Sequence, residues 1–304
     1  FDGDTPWHGF DVNRDAAPLP PSSVAADGTI SVMIEAECMH PWGVAAFSWD
    51  PPETHQRWDS RDPGHLTRAE LARFDERVWR LLCGYRFARQ LLAETPRSDP
   101  RSRMIVGALD QATRVLDDEA VSDTAGAAAD ALDAFLRSGS DAPASRVTAV
   151  GHAHIDTAWL WTLDHTRRKT QRSWSNVLRL LERFDDVRFL CSQPYQYAQL
   201  ERDAPDLSAQ IDTQARAGRW EPFGAMWIEP DCNVPSVESL IRQIAHGVEY
   251  FEDRFPDLPA QRCLFLPDTF GFPASLPTIM AACGLDTFIT NKMSWNQTNQ
   301  MPAT

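Results

Sequence analysis

The sequence predicts an α/β fold over residues 143–304, preceded by a helical segment over 66–142 and by a β-rich stretch ending in a Pro-rich linker over 1–65. Three observations carry this reading. Five short apolar runs follow Arg146, helical patterns lie between them, and the first 64 residues instead show apolar runs broken by Pro and Gly. Continuous apolar strands alternating with helices imply a mostly parallel sheet covered on both faces, either doubly wound or closed as a barrel.

In the first stretch, Gly28-Thr29-Ile30-Ser31-Val32-Met33-Ile34-Glu35-Ala36 alternates as a strand does, and Pro51, Pro52 and Pro63 mark the linker. From Thr67 onward Leu71, Phe74, Val78, Leu81 and Leu82 recur at steps of three and four, which predicts a helix with Thr67 and Glu70 as its capping box. A second helix is expected over 105–116 and an Ala-rich third over 124–136, with a break at 139–144. Strands are then expected at 147–150, 187–191, 220–228, 263–266 and 287–289, with helices at 174–184 and 237–251 among them. A closed (β/α) barrel typically takes ~250 residues. Five strands after Arg146 fall short of that, so the fold is expected to stop before completion.

A chain of 304 residues with 43% apolar and 24% charged residues can bury a real core, which excludes disorder and fibrous repeats. Its 43 acidic against 29 basic residues give a net charge of -14, which repels phosphate backbones and anionic lipid. No nucleic acid or membrane partner is expected, and a neutral or cationic substrate is favoured. Six widely spaced cysteines form no CxxC pair and read as reduced, packed thiols of a reducing compartment. No apolar run approaches the roughly 18 to 20 residues that span a bilayer. The first residue is Phe and the last stretch is polar, the pattern expected of a piece of a longer polypeptide.

The strongest chemical signal is Gly151-His152-Ala153-His154-Ile155-Asp156 at the carboxyl end of the first strand, where parallel α/β folds place their sites. A side-chain period of two puts His152, His154 and Asp156 on one side, and imidazole with carboxylate suits a divalent ion such as zinc. The alternative is a helix start with Asp156 or Thr157 as N-cap. Leu266-Pro267-Asp268-Thr269-Phe270-Gly271 repeats the pattern, an apolar strand ending in an acid, so Asp268 is either a cap or a third ligand beside His154 and Asp156. Glu229 and Asp231 follow the third strand, where either acid binds a substrate hydroxyl, supports a ligand, or caps the helix starting near Ser236. Trp159 is a candidate to stack on the apolar face of a sugar.

These segments, with Arg172-Ser173-Trp174-Ser175-Asn176 and Met226-Trp227-Ile228-Glu229-Pro230-Asp231, resemble the α-mannosidases of glycoside hydrolase family 38, most of all its cytosolic and vacuolar branch. The resemblance is strong from about Arg146 to Thr304, and Asp4-Thr5-Pro6-Trp7-His8-Gly9-Phe10-Asp11 with Ile34-Glu35-Ala36 resembles the tail of that branch's β-sandwich-like N-terminal domain. It implies an incomplete seven-stranded βα barrel, one zinc ion and a retaining mechanism. His154 and Asp156 match two metal ligands, and Asp268 matches the residue that is both ligand and nucleophile. His152 matches a histidine that does not touch the metal. Trp159 falls where an aromatic stacks on mannose, and Lys292 where a basic residue lies near the sugar. Asp231 is carried with them as a substrate-binding candidate.

The resemblance also implies an oligomannose-type substrate and a cytoplasmic location, with self-association left open. A fourth zinc ligand and the general acid are expected beyond residue 304, so the chain by itself is expected to be inactive. The rival readings are a metal-dependent amidohydrolase or phosphoesterase, in which a metal activates water, and a non-catalytic carbohydrate-binding piece. Against the first, Thr157 stands where dinuclear HxHxDH hydrolases have a histidine.

Overall fold

A computed structural model describes residues 8–9, 16–35, 69–138, 147–295 and 298. The chain divides into two compact units, residues 63–148 and residues 1–62 with 149–304. The first holds three helices, α1 (Glu76–Glu94), α2 (Pro100–Val115) and α3 (Val121–Arg137). Asp75 and Asp99 cap the first two by accepting the backbone N–H of Arg77 and Arg101 at 3.0 and 2.9 Å, and Pro100 supplies the preset φ of a first turn. Ala88, Ala112, Ala125, Ala128 and Ala129 pack with Ile105 and Leu132, small side chains that let the three backbones approach closely. The first helix begins at Glu76 and not near Thr67, because Asp75 holds an extended backbone and turns its carboxylate onto the new helix. Thr67 itself lies outside the described residues.

In the second unit, β1 (Gly151–His152), β2 (Phe189–Cys191) and β3 (Trp220–Pro222) pair in parallel in that order, and β4 (Cys263–Phe265) pairs in parallel with β5 (Thr287–Ile289). Between them run α4 (Leu163–Arg183), α5 (Pro194–Asp203), α6 (Pro205–Arg216), α7 (Val237–Arg254) and α8 (Leu276–Ala282). The α/β class and the parallel pairing are as the sequence predicts. The described residues carry two ladders with five strands, and a seven-stranded closure is not among them.

Two cores cover these ladders. Trp174, Tyr197, Trp220, Phe189, Phe251 and Phe255 form an aromatic cluster, within which Tyr197 and Trp220 join their polar ends. Tyr197 Oη donates to the Cys191 carbonyl at 2.9 Å and accepts from Trp220 Nε1 at 2.8 Å. Leu240, Ile244, Leu264, Leu266, Ile279 and Leu285 fill the other core.

Three strand expectations shift. The run 147–150 is exposed and precedes the ladder, which starts at Gly151. The run 220–228 stops at Pro222, because Gly224 (φ 108°) and Ala225 (φ 62°) turn the backbone away from extended geometry. Residues 28–35 form no strand. Thr29 folds back onto Asp27 Oδ1 through its N–H and hydroxyl, and Val32, Met33 and Ile34 stay exposed with no ladder partner among the described residues. Pro51, Pro52, Pro63 and the break at 139–144 lie outside the described residues. The described cysteines, Cys83, Cys191, Cys232, Cys263 and Cys283, are free thiols.

Candidate metal and catalytic site

The chain leaves β1 at His152 and runs through His154 and Asp156 before turning into α4. Asp268 arrives from the other ladder, three residues beyond β4. One ligand atom each from His154, Asp156 and Asp268 lie within 4.8 Å of one another. Residues more than a hundred positions apart thus meet at the carboxyl ends of two parallel ladders, as the sequence reading expects. A nitrogen with two carboxylate oxygens is a donor set for a borderline divalent cation such as zinc.

The helix-cap alternatives fall away. Thr162 is the N-cap of α4 and forms the capping box with His165, so neither Asp156 nor Thr157 caps it. Ser275 holds the N-cap position of α8, and Asp268 instead pairs with Lys292 at 2.7 Å. Ser236 caps α7 by accepting from the Ser239 N–H, which frees Glu229 of that role.

The loop after β1 is braced from beneath. Buried Gln193 and Gln196 each donate an amide N–H to the Ile155 carbonyl at 2.7 Å, and Thr157 Oγ1 donates to Gln193 Oε1 at 2.7 Å. Trp161 Nε1 donates to the Asp156 carbonyl at 3.3 Å, while Ala158, at φ 60°, donates its N–H to Thr166 Oγ1 at 3.0 Å. Ala158, Gln193 and Ala225 are the non-glycine residues with positive φ among the described residues, and each follows one of β1, β2 and β3. Backbone strain is therefore concentrated at the end of the ladder that carries the acids.

Glu229 links the two ladders. Its Oε2 lies 2.8 Å from His154 Nε2, its Oε1 accepts the backbone N–H of Asp268, and Thr269 Oγ1 stands 3.5 Å from the same oxygen. Burial opposes the charged form of His154, but the carboxylates of Glu229, Asp156 and Asp268 outweigh it and raise its pKa above the ordinary value. Burial also raises Asp156, with His154 opposing and the negative charge of Asp268 adding to the rise. Three carboxylates around one imidazole form a negative pocket suited to a cation.

His152 lies outside the three-residue cluster. Its Nδ1 is 3.1 Å from the Leu190 carbonyl, its ring meets Phe265 edge-on, and burial lowers its pKa, so it is a neutral packing histidine. The Lys292 side chain is only 7% exposed, with its Nζ 3.4 Å from the Trp295 ring centroid and 4.4 Å from that of Phe270, and its charge faces Asp268. Trp159 is half-exposed at the loop tip, edge-on to Trp161 at 5.2 Å. Asp231 is exposed and accepts the N–H groups of Asn233 and Val234 at 2.7 and 2.8 Å, a local turn in its own loop. Sequence reasoning missed Gln193 altogether. The available signal was a polar residue placed between a buried strand and the Pro194 that starts a helix.

Residues 144–304 match the model of the glycosyl hydrolases family 38 N-terminal domain. The chain is 42% identical over 156 residues to "Alpha-mannosidase 2C1" of Mus musculus, covering 51% of this chain and 15% of that protein. It is 36% identical over 237 residues to "Alpha-mannosidase 2C1" of Homo sapiens, covering 78% and 22% respectively. To "Alpha-mannosidase" of Saccharomyces cerevisiae it is 37% identical over 178 residues, covering 56% and 16%. The chain thus spans 15 to 22% of the length of these relatives.

Proposed function

The chain belongs to glycosyl hydrolase family 38, and on that premise we propose that the full-length protein is a zinc-dependent, retaining α-mannosidase acting on terminal α-linked mannose of oligosaccharides. The observation that supports this most is the convergence of His154, Asp156 and Asp268 within 4.8 Å. In this reading residues 143–304 open the catalytic domain, 66–142 are its helical neighbour, and 1–65 are the tail of a preceding β-rich domain. The free, buried Cys191, Cys232 and Cys263 suit a reducing, cytoplasmic setting. No helix among the described residues is long and apolar enough to cross a membrane.

His154, Asp156 and Asp268 would hold the ion, which when bound supplies a Lewis-acid clamp on sugar hydroxyls. Asp268 is the nucleophile. Its carboxylate oxygen bonds to the anomeric carbon as the glycosidic C–O bond breaks, and the leaving oxygen takes a proton from a second carboxyl group expected beyond residue 304. Water then cleaves the glycosyl ester, and two inversions give net retention. Lys292 sits against Asp268 and orients its carboxylate, while Trp159 offers an apolar face to the sugar. Asp231 is the proposed partner of a substrate hydroxyl.

The test is hydrolysis of nitrophenyl α-mannoside by full-length protein, beside a phosphate ester and an amide as substrates of the rival chemistries. Turnover of the mannoside alone, lost on chelation and restored by zinc, is expected, whereas the 304-residue chain alone should show little or none. Asp268→Asn should abolish turnover with an unchanged circular dichroism spectrum. Normal rates in that variant, or preference for the ester or amide, would overturn the assignment.

A further inference from the structure

Lys292 inverts the usual order of exposure. Long charged side chains keep their heads in water and large aromatics withdraw from it, yet the Lys292 side chain is 7% exposed while Trp295 and Phe270, whose rings lie against it, are 63% and 72% exposed. Two aromatics stand outside a covered cation, beside the carboxylate proposed as nucleophile.

The chain arranges this locally. After β5, Lys292–Trp295 forms one turn of 3-10 helix, tied by Ser294, whose N–H and hydroxyl both donate to the Asn291 carbonyl, at 3.3 and 2.6 Å. Three residues per turn eclipse the side chains at i and i+3, so Trp295 comes to stand over Lys292, its ring centroid 3.4 Å from Nζ. Phe270, from the loop that carries Asp268, adds a second wall at 4.4 Å. The two rings are 6.2 Å apart and nearly perpendicular, at 85°, and so make a corner. Ring faces attract the cation without a hydrogen-bond acceptor, which leaves the ammonium donors to Asp268 Oδ1, 2.7 Å away.

We infer that Trp295 is a positioning residue: with Phe270 it walls the Lys292 ammonium in beside Asp268, so that the orientation of the nucleophilic carboxylate depends on a tryptophan that acts through Lys292 and not on the sugar. The inference rests on the mannosidase reading above, and the wall itself can be observed without catalysis.

The experiment uses full-length protein as wild type, W295F, W295L, K292Q and the double variant W295L/K292Q, with 13C at the lysine ε carbons. Leucine keeps an apolar cover but has no π face, whereas phenylalanine keeps the face. In a 13C–1H spectrum the Lys292 ε-methylene, assigned by its loss in K292Q, should lie upfield in wild type and W295F because it sits over a ring. In W295L it should move back toward the ordinary lysine position. With nitrophenyl α-mannoside, W295L should lower kcat about 3- to 30-fold, the factor to which a cation–π contact converts, with KM and thermal unfolding close to wild type. W295F should recover most of that loss. In the K292Q background W295L should have no further effect, since a residue acting through Lys292 has nothing left to act on. An unshifted methylene in wild type overturns the inference whether or not any variant folds. So does a W295L protein that turns over as fast as an active wild type, a loss that persists undiminished in K292Q, or one confined to KM, which would make Trp295 a sugar platform. A shifted methylene that W295L moves back, in a wild type that hydrolyses no mannoside, would sink the mannosidase reading while leaving the wall in place.

Discussion

Gly247 offers the most direct test of how the fold positions the site. It lies buried in α7 against the loop that follows β3, and a methyl group there would stand 1.9 Å from the Ala225 carbonyl oxygen, 2.7 Å from the Met226 carbonyl carbon and 2.8 Å from that of Ala225. All three are backbone atoms, so no rotamer change relieves the clash. Ordinary contact lies near 3.5 Å, so helix and loop must part by about 1.5 Å in Gly247→Ala. One turn earlier, Gln243 holds the same loop by accepting the Trp227 N–H at 2.8 Å on its carbonyl and the Ile228 N–H at 3.0 Å on Oε1. Neither bond survives that displacement. Overpacking of about 1 to 3 kcal/mol and about 1 kcal/mol for each lost bond together predict a destabilisation of about 3 to 5 kcal/mol. For a unit of this size that lowers Tm by on the order of 10 °C. Because Glu229 directly follows Ile228, zinc affinity should fall as well. The control is Gly107→Ala, on an exposed face of α2 with nothing within 4 Å of the added carbon, which should stabilise its helix by about 0.5 to 1 kcal/mol. Thermal unfolding by near-UV circular dichroism is the assay. A Gly247→Ala protein that melts with wild type would show that the helix and loop are not in the contact described.

Two further outcomes follow from the same packing. Trp174 is fully buried, with its ring 4.6 Å from Tyr197 and 5.4 Å from Trp220, so Trp174→Ala should cost about 3 to 5 kcal/mol in urea unfolding, and a cost below about 1 would refute its place at the centre of that core. Asp75 has its pKa lowered to about 2, first by the hydrogen bond from Arg77. A depressed carboxylate supports the fold above its unfolded value, near 3.9, and that support is lost as pH falls through the folded value. Wild type and Asp75→Asn should therefore differ in α1 helicity at neutral pH and converge near pH 2, and a difference independent of pH would contradict the cap.

The parallel α/β class was legible because burial on both faces writes itself into the sequence as continuous apolar runs, and the runs at Phe189, Cys263 and Thr287 carry that signature. Ends were harder to read. The run from Trp220 looks apolar as far as Ile228, yet the chain turns at Gly224 and Ala225, where hydrophobicity and backbone angle part company. The strand expected at 28–36 alternates correctly, but its described residues 28–35 join no ladder among the described residues, and alternation alone cannot supply one. His154, Asp156 and Asp268 could be named from motif and spacing. Their bracing could not, because Gln193 and Glu229 act through contacts 36 to 75 residues away in the chain, which no local pattern encodes.

That bracing explains why the three strained residues are tolerated. A positive φ at a residue other than glycine costs on the order of 1 kcal/mol or more and persists only where the surroundings over-determine it. At Ala158 the Thr166 hydroxyl takes the N–H. At Gln193 the side chain is held by Ile155, Thr157 and Glu229 together, so the strained backbone is the point from which two site loops hang. At Ala225 the carbonyl is pressed against Gly247, where any side chain would push it away. Each strained residue precedes or supports a loop that bears an acid of the site. The strain is thus the local cost of aiming His154, Asp156 and Asp268 at one point, and relieving it should weaken the site before it weakens the fold.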